Sequence, residues 1–208
     1  MTEKKKEIEL IMFDLGNVIF NFDHMITCNK LSEYSKKDSA YIYNFIFKSS
    51  LIKSYDRGKI SSSELFSTIS DELDLHISFK EFNLAWSEIF WLNNGIDLLI
   101  SWAKTQAKIA ILSNTDEMHF NYIRDKFEII SEFDFIFLSY EIGYSKPESE
   151  IFEYAINKTG ISADKIIFID DIQEFVDAAN KSGINGIWYK NISTLKKDLE
   201  AYLKTNVI

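Results

Sequence analysis

Five short runs of the chain are apolar but for one charged residue near the start of the first and third, Glu9 and Asp134: residues 8–13, 109–112, 133–138, 166–169 and 186–189. From the second run onward, stretches with helical spacing alternate with them. Runs without apolar/polar alternation do not have one wet face, so they read as strands covered on both sides. Alternation with helices then makes the sheet parallel. The pattern predicts an α/β fold with a Rossmann-like parallel sheet, whose reactive groups belong at the carboxyl ends of the strands.

The alternation is missing in one place. Residues 14–108 separate the first two runs, far more than one crossover helix needs. Within this gap residues 21–90 read as helical throughout. Ser61 with Glu64 and Ser78 with Glu81 each have the spacing of a capping box. Ile60 with Leu65 and Ile77 with Phe82 have the spacing of the accompanying hydrophobic staples. The expected organisation is a core of residues 1–20 and 91–208, with a helical cap of residues 21–90 inserted after the first strand.

Composition narrows the function classes. The 208 residues are 46% hydrophobic with 17 Phe and 10 Tyr, enough large apolar surface for a core and a second module. One Pro and seven Gly leave no room for a flexible linker. The net charge of −9 repels nucleic acid and anionic membranes, and an anionic ligand needs a local cation, a metal or a placed Lys. The single Cys28 excludes an intrachain disulfide and reads as an apolar filler in a helix. Residues 1–6 are basic, but Glu7, Glu9 and Asp14 interrupt the apolar run behind them, so no signal peptide is expected. No run approaches a membrane span, and a cytoplasmic protein is expected. His24, His76 and His119 lack the spacing of a zinc site, and no Gly-rich phosphate loop occurs. Trp86, Phe90 and Trp91 read as core packing, with a substrate pocket as the alternative.

The chemistry-bearing residues sit where the runs end. Asp14 follows the first run, and Gly16 two residues on suits a tight turn that Asp14 could cap. Ser113, Asn114 and Thr115 end the second run, as N-cap residues or as phosphate-oxygen donors. Pro147 suits the first position of a helix, which makes Lys146 its N-cap, an unfavourable place for a cation unless an anion lies opposite. Asp170 and Asp171 end the fourth run. Asp171 with Glu174 has capping-box spacing, which leaves Asp170 unexplained. Two adjacent buried carboxylates repel unless a cation is shared, and an oxygen-liking ion such as Mg²⁺ resolves the repulsion.

Each feature alone has a structural explanation. Together Asp14, Ser113, Lys146 and Asp170-Asp171 resemble, in order and spacing, the four motifs of the haloacid dehalogenase-like (HAD) hydrolases. The resemblance covers the whole core, and the helical insertion is similar to that family's helical cap. The stretches FDLGNVIF, ILSNT, SKPE and IDD are most similar to a bacterial branch that includes alpha-D-glucose-1-phosphate phosphatases. The resemblance implies a Mg²⁺-dependent phosphatase of a small phosphorylated metabolite, with Asp14 attacking phosphorus and an aspartyl-phosphate hydrolysed by water. It implies Mg²⁺ held by Asp14, the carbonyl of Gly16, Asp170 and Asp171. Ser113 and Asn114 would hold phosphoryl oxygens, and Lys146 would neutralise their charge. Arg57, in the turn Asp56-Arg57-Gly58, is a candidate substrate contact or a solvated loop residue.

One position departs from the family pattern. Most phosphatases of the family carry an acid–base Asp two residues after the nucleophile, where this chain has Gly16. The metal ligand there is a backbone carbonyl and survives, but the acid and base does not, which argues against a phosphomutase. A haloacid dehalogenase also lacks that Asp, yet needs no metal and would leave the Asp170-Asp171 pair unneutralised. A weakly active relative that binds a phosphorylated ligand or a protein is the third reading. Without an acid, substrates with good leaving groups should be favoured, above all anomeric sugar phosphates. The ratio of kcat/KM for matched anomeric and primary-alcohol phosphates tests this. A large preference means that the leaving oxygen departs unprotonated. Equal rates mean that a group elsewhere, such as Asp23, supplies the proton.

Overall fold

The computed structural model describes residues 7–203, so the basic segment 1–6, where no signal peptide was expected, lies outside the described residues. Five parallel strands form the central sheet: β1 (Leu10–Phe13), β4 (Lys108–Ser113), β5 (Phe135–Leu138), β6 (Ile166–Asp170) and β7 (Asn185–Trp188), in the order β5-β4-β1-β6-β7. β1 is flanked by β4 and β6, whose ends carry Ser113 and Asp170.

Side chains alternate across each strand, and the core divides accordingly. Ile11, Phe13, Ile109, Ile111, Ile167 and Ile169 pack on one face. There they meet α6 (Ile96–Lys104), α7 (Glu117–Lys126) and α11 (Ile192–Leu203). Leu10, Met12, Ala110, Leu112, Ile166 and Phe168 pack on the other face against α9 (Ser149–Thr159) and α10 (Gln173–Lys181). Burial on both faces is why these runs carry no polar alternation. A single-turn helix, α8 (Ser139–Ile142), follows β5.

The segment between β1 and β4 folds around a third apolar cluster centred on Trp86, Tyr55 and Phe82. Its helices are α1 (His24–Ser32), α2 (Ser39–Phe47), α3 (Ser50–Tyr55), α4 (Ser62–Leu73) and α5 (Phe79–Ser87). Both capping boxes form: the hydroxyls of Ser61 and Ser78 accept from the backbone of Glu64 and Glu81, whose carboxylates reach back. Cys28 is fully buried in this cluster. The segment is not helical to its ends. β2 (Phe20–Phe22) and β3 (Phe90–Leu92) pair antiparallel at its base and bring its entry and exit together. Three-residue strands are too short for a periodicity signal, which is why they read as helix. No helix among the described residues is long and apolar enough to cross a membrane.

The insert is fixed to the sheet at the turn after α3. The carbonyl of Asp56 accepts from Ser139 Oγ at 2.5 Å. Arg57 donates to Ser145 Oγ at 3.0 Å and pairs with Glu148 at 3.1 Å, so it is not a free loop residue. Gly58, at φ +63°, brings its α-carbon so close that an added Cβ would lie 2.2 Å from the carbonyl oxygen of Tyr140. Gly58→Ala therefore meets both an unfavourable φ and a backbone collision. Its expected cost exceeds ~1 kcal/mol, or about 2–4 °C of melting temperature per kcal/mol for a chain of this size. An unchanged melting temperature would refute this docking of the turn.

Candidate active site

The loop leaving β1 is short and strained at one residue. Asn17 adopts φ 53°, a conformation that Asn tolerates better than most side chains. Its N–H reaches back to the carbonyl of Phe20 at 2.7 Å. This places the Asn17 side chain over the end of β6, where its amide donates to Asp171 Oδ2 at 3.0 Å. Asn17 was not singled out in the sequence. An Asn directly after a Gly at a strand end was the available signal.

Lys146 lies at the centre of the site, 3% exposed. Its Nζ is 2.8 Å from Asp14 Oδ1 and 2.6 Å from Asp170 Oδ2, and it is flanked by the rings of Phe168 and Phe175 at 5.2 Å each. Asn114 holds its backbone from both sides, donating to the Lys146 carbonyl at 2.9 Å and accepting from its N–H at 2.8 Å. The Asn114 amide, expected on phosphoryl oxygens, is thus engaged with Lys146. Lys146 does not cap a helix. α9 begins at Ser149 after Glu148, and residues 145–148 form a separate turn with Glu148 N–H on the Ser145 carbonyl at 2.9 Å. With its backbone held by Asn114, Lys146 lies outside the helix.

Asp171 does not cap α10 either. The helix starts after Ile172, whose N–H is taken by Asp170 Oδ1 at 2.8 Å, while Asn17 draws the Asp171 carboxylate toward β1. Ser113 ends β4 at 2% exposure with its hydroxyl only 3.4 Å from the Asn114 carbonyl, a weak contact that leaves the hydroxyl free to turn. The cap of α7 is Asp116, not Ser113, Asn114 or Thr115. Asp23 caps α1 through Met25 N–H and is exposed.

Asp14, Asp170 and Asp171 each present an oxygen within 4.8 Å of the others. One ammonium faces these three carboxylates, leaving two negative charges when all are ionised. Burial, opposed by Lys146 and reinforced by Asp170, pushes the Asp14 carboxyl up to about 7. Burial also favours the neutral form of Lys146, but Asp14 and Asp170 more than offset it and hold its pKa above the usual value. Such a set of hard oxygen donors with a deficit of positive charge fits a divalent cation.

A cavity of about 120 Å³ opens beside this cluster. Gly16, Ser113 and Asn114 line it from the sheet, Phe22 and Phe90 from the small β2–β3 pair, and His24 and Asp56 from the insert. Trp86 is fully buried behind it and Trp91 is 48% exposed, so of the three aromatic residues weighed from the sequence only Phe90 reaches the cavity.

Over residues 11–189 the sequence matches the haloacid dehalogenase-like hydrolases. The chain belongs to this family. Among relatives of the HAD protein is D-ribitol-5-phosphate phosphatase of Bacteroides thetaiotaomicron, 22% identical over 95% of this chain and 100% of the relative. A sesquiterpene phosphatase of Aspergillus oryzae is 26% identical over 85% of this chain and 87% of the relative. A HAD family enzyme from Bacteroides thetaiotaomicron, crystallised with magnesium and inorganic phosphate, superimposes with a TM-score of 0.78 at 22% identity. That superposition covers 88% of this chain and 95% of the enzyme.

The buried charges make a stability prediction. Lys146→Met removes the one cation and leaves Asp14 and Asp170 uncompensated, an expected loss of about 3–5 kcal/mol at neutral pH without divalent cations. The loss should shrink toward pH 5, where the Asp14 carboxyl, pushed up to about 7, is protonated and no longer needs the ammonium, and on adding Mg²⁺. Denaturant unfolding at both pH values measures it. A loss that does not change with pH would mean that Lys146 stabilises by packing alone.

Proposed function

We propose that this HAD protein is a Mg²⁺-dependent phosphatase of a small phosphorylated metabolite, a sugar phosphate foremost, acting through an aspartyl-phosphate on Asp14. The observation that carries this reading is the charge deficit at the sheet end, three carboxylates against one buried ammonium. A dehalogenase, which needs no metal, gives Asp171 no purpose beside Asp14 and Asp170. The phosphatase names of the two relatives support the same choice. The net charge of −9 and the single Cys fit a cytoplasmic protein with a small-molecule substrate rather than nucleic acid or an anionic membrane.

Asp14 carries the reaction by attacking phosphorus in line, and the alcohol leaves as the ester P–O bond breaks. Water then attacks the phosphorylated Asp14, restoring the carboxylate and releasing phosphate. Lys146 holds Asp14 in place and offsets charge on the phosphoryl group. Ser113, whose hydroxyl is free to turn, donates to a phosphoryl oxygen, and Asn114 fixes Lys146. Asp14, Asp170, Asp171 and the Gly16 carbonyl would hold Mg²⁺, and a bound Mg²⁺ would supply the missing positive charge to the phosphoryl oxygens. Positioning and fixed charge then do most of the work, as phosphoryl transfer requires.

Phosphate release from a panel of sugar and alkyl phosphates tests the reading. Turnover should need Mg²⁺, stop in chelator and vanish in Asp14→Asn. Undiminished turnover in chelator removes the metal from the proposal, and full turnover in Asp14→Asn removes the nucleophile.

A further inference from the structure

The alkoxide of an ordinary alcohol is a poor leaving group unless a proton reaches it. The usual place for the donor is closed here. Position 16 is Gly, and a Cβ built on it would stand 2.9 Å from Cε1 of Phe22, so the Phe22 ring occupies the space of the absent side chain. Four other ionisable side chains line the same cavity: His24, Asp56, Asp116 and His119.

Two of them are committed to each other. Asp116 Oδ1 accepts from the His119 backbone at 2.9 Å, its Oδ2 lies 2.6 Å from His119 Nδ1, and the Trp86 indole donates to both oxygens. His119 Nε2 meets the Trp86 carbonyl at 3.0 Å. With acceptors at both nitrogens, His119 keeps its proton. Burial alone would lower its affinity, but Asp116 raises it above the usual value. His24, stacked on Phe47, is the third. Burial first, and then the neighbouring His119 charge, hold it down to about 4, so at neutral pH it is uncharged, with Nδ1 buried and unpartnered.

Asp56 is the fourth. Its backbone is fixed through Ser139, and the next two residues dock on Ser145, Glu148 and Tyr140. Its carboxyl, by contrast, has no hydrogen-bond or ion-pair partner among the described residues. The side chain is half-buried and lines the cavity, so its carboxyl is available to whatever fills the cavity. Burial, helped by Asp116 and opposed by His119, pushes it up to about 7, so that it exchanges a proton near neutrality.

We propose that Asp56 is the general acid and base of the hydrolysis, replacing from the helical insert the group that Gly16 lacks. Protonated Asp56 gives its proton to the ester oxygen as the P–O bond breaks and Asp14 bonds to phosphorus, so the alcohol departs neutral. The Asp56 carboxylate then takes a proton from the water that attacks the phosphorylated Asp14, which regenerates both carboxyl groups. The proposal rests on the phosphatase reading, and it makes phosphates of primary alcohols substrates alongside anomeric ones.

The test compares two esters with the full chain in Mg²⁺: a primary alkyl phosphate, and p-nitrophenyl phosphate, whose phenolate leaves without a proton. Asp56→Asn keeps the size and removes the transferable proton. Its expected effect is a fall in kcat/KM of about 10²- to 10⁴-fold on the alkyl ester. The first turnover of p-nitrophenyl phosphate, seen as a burst of one phenolate per enzyme, falls far less, while the steady state behind the burst slows because dephosphorylation lacks its base. Asp56→Glu recovers part of the alkyl activity, and unchanged melting curves show that both variants are folded. Equal loss on both esters in the burst, or no loss on either, overturns the role of Asp56 alone. A wild type that releases no phosphate from either ester overturns the phosphatase reading and this proposal with it.

Discussion

The ammonium of Lys146, buried between Asp14 and Asp170, is the interaction on which the rest of the site depends. Three strand ends converge on it. β1 delivers Asp14, β6 delivers Asp170, and β4 delivers Asn114, which grips the Lys146 backbone on both sides. Without Lys146 the carboxylates would repel each other at the most buried edge of the sheet. Without the carboxylates a desolvated ammonium would lose its proton. The order β5-β4-β1-β6-β7 meets this constraint, because it places β1 between β4 and β6 and sets the ends of all three side by side.

Much of this was legible in the chain. The apolar runs located every strand of the parallel sheet to within two residues, because burial on both faces leaves little polar alternation to blur them. Ser61 and Ser78 marked the starts of α4 and α5, since a capping box is a local interaction with fixed spacing. Asp14, Ser113, Lys146 and Asp170-Asp171 were legible only as a set: each alone has a local structural explanation, and only their order and spacing together point to one site.

What was not legible depended on partners distant in sequence. Lys146 and Asp171 both have the local spacing of helix caps, and in both cases a side chain from another strand end, Asn114 or Asn17, takes the residue away from that role. Arg57 read as a substrate contact or a loop residue because its partners, Ser145 and Glu148, lie some 90 positions away. Asp56 and His24 gave no signal at all. A carboxylate at the end of a short helix and a His after a strand are ordinary, and only the cavity they share gives them meaning.

The Phe22 ring beside Gly16 has a consequence for how this chain can change. A side chain added at position 16 must displace the edge of that ring, since its Cβ would stand 2.9 Å from Phe22 Cε1 while the next ring atoms lie at 3.7 and 3.8 Å. Phe22 in turn faces Phe90 across β2 and β3, with ring centroids 5.8 Å apart, and both rings line the cavity. Substitutions at positions 16 and 22 are therefore coupled rather than additive: the room for a side chain at position 16 is set by the residue at position 22.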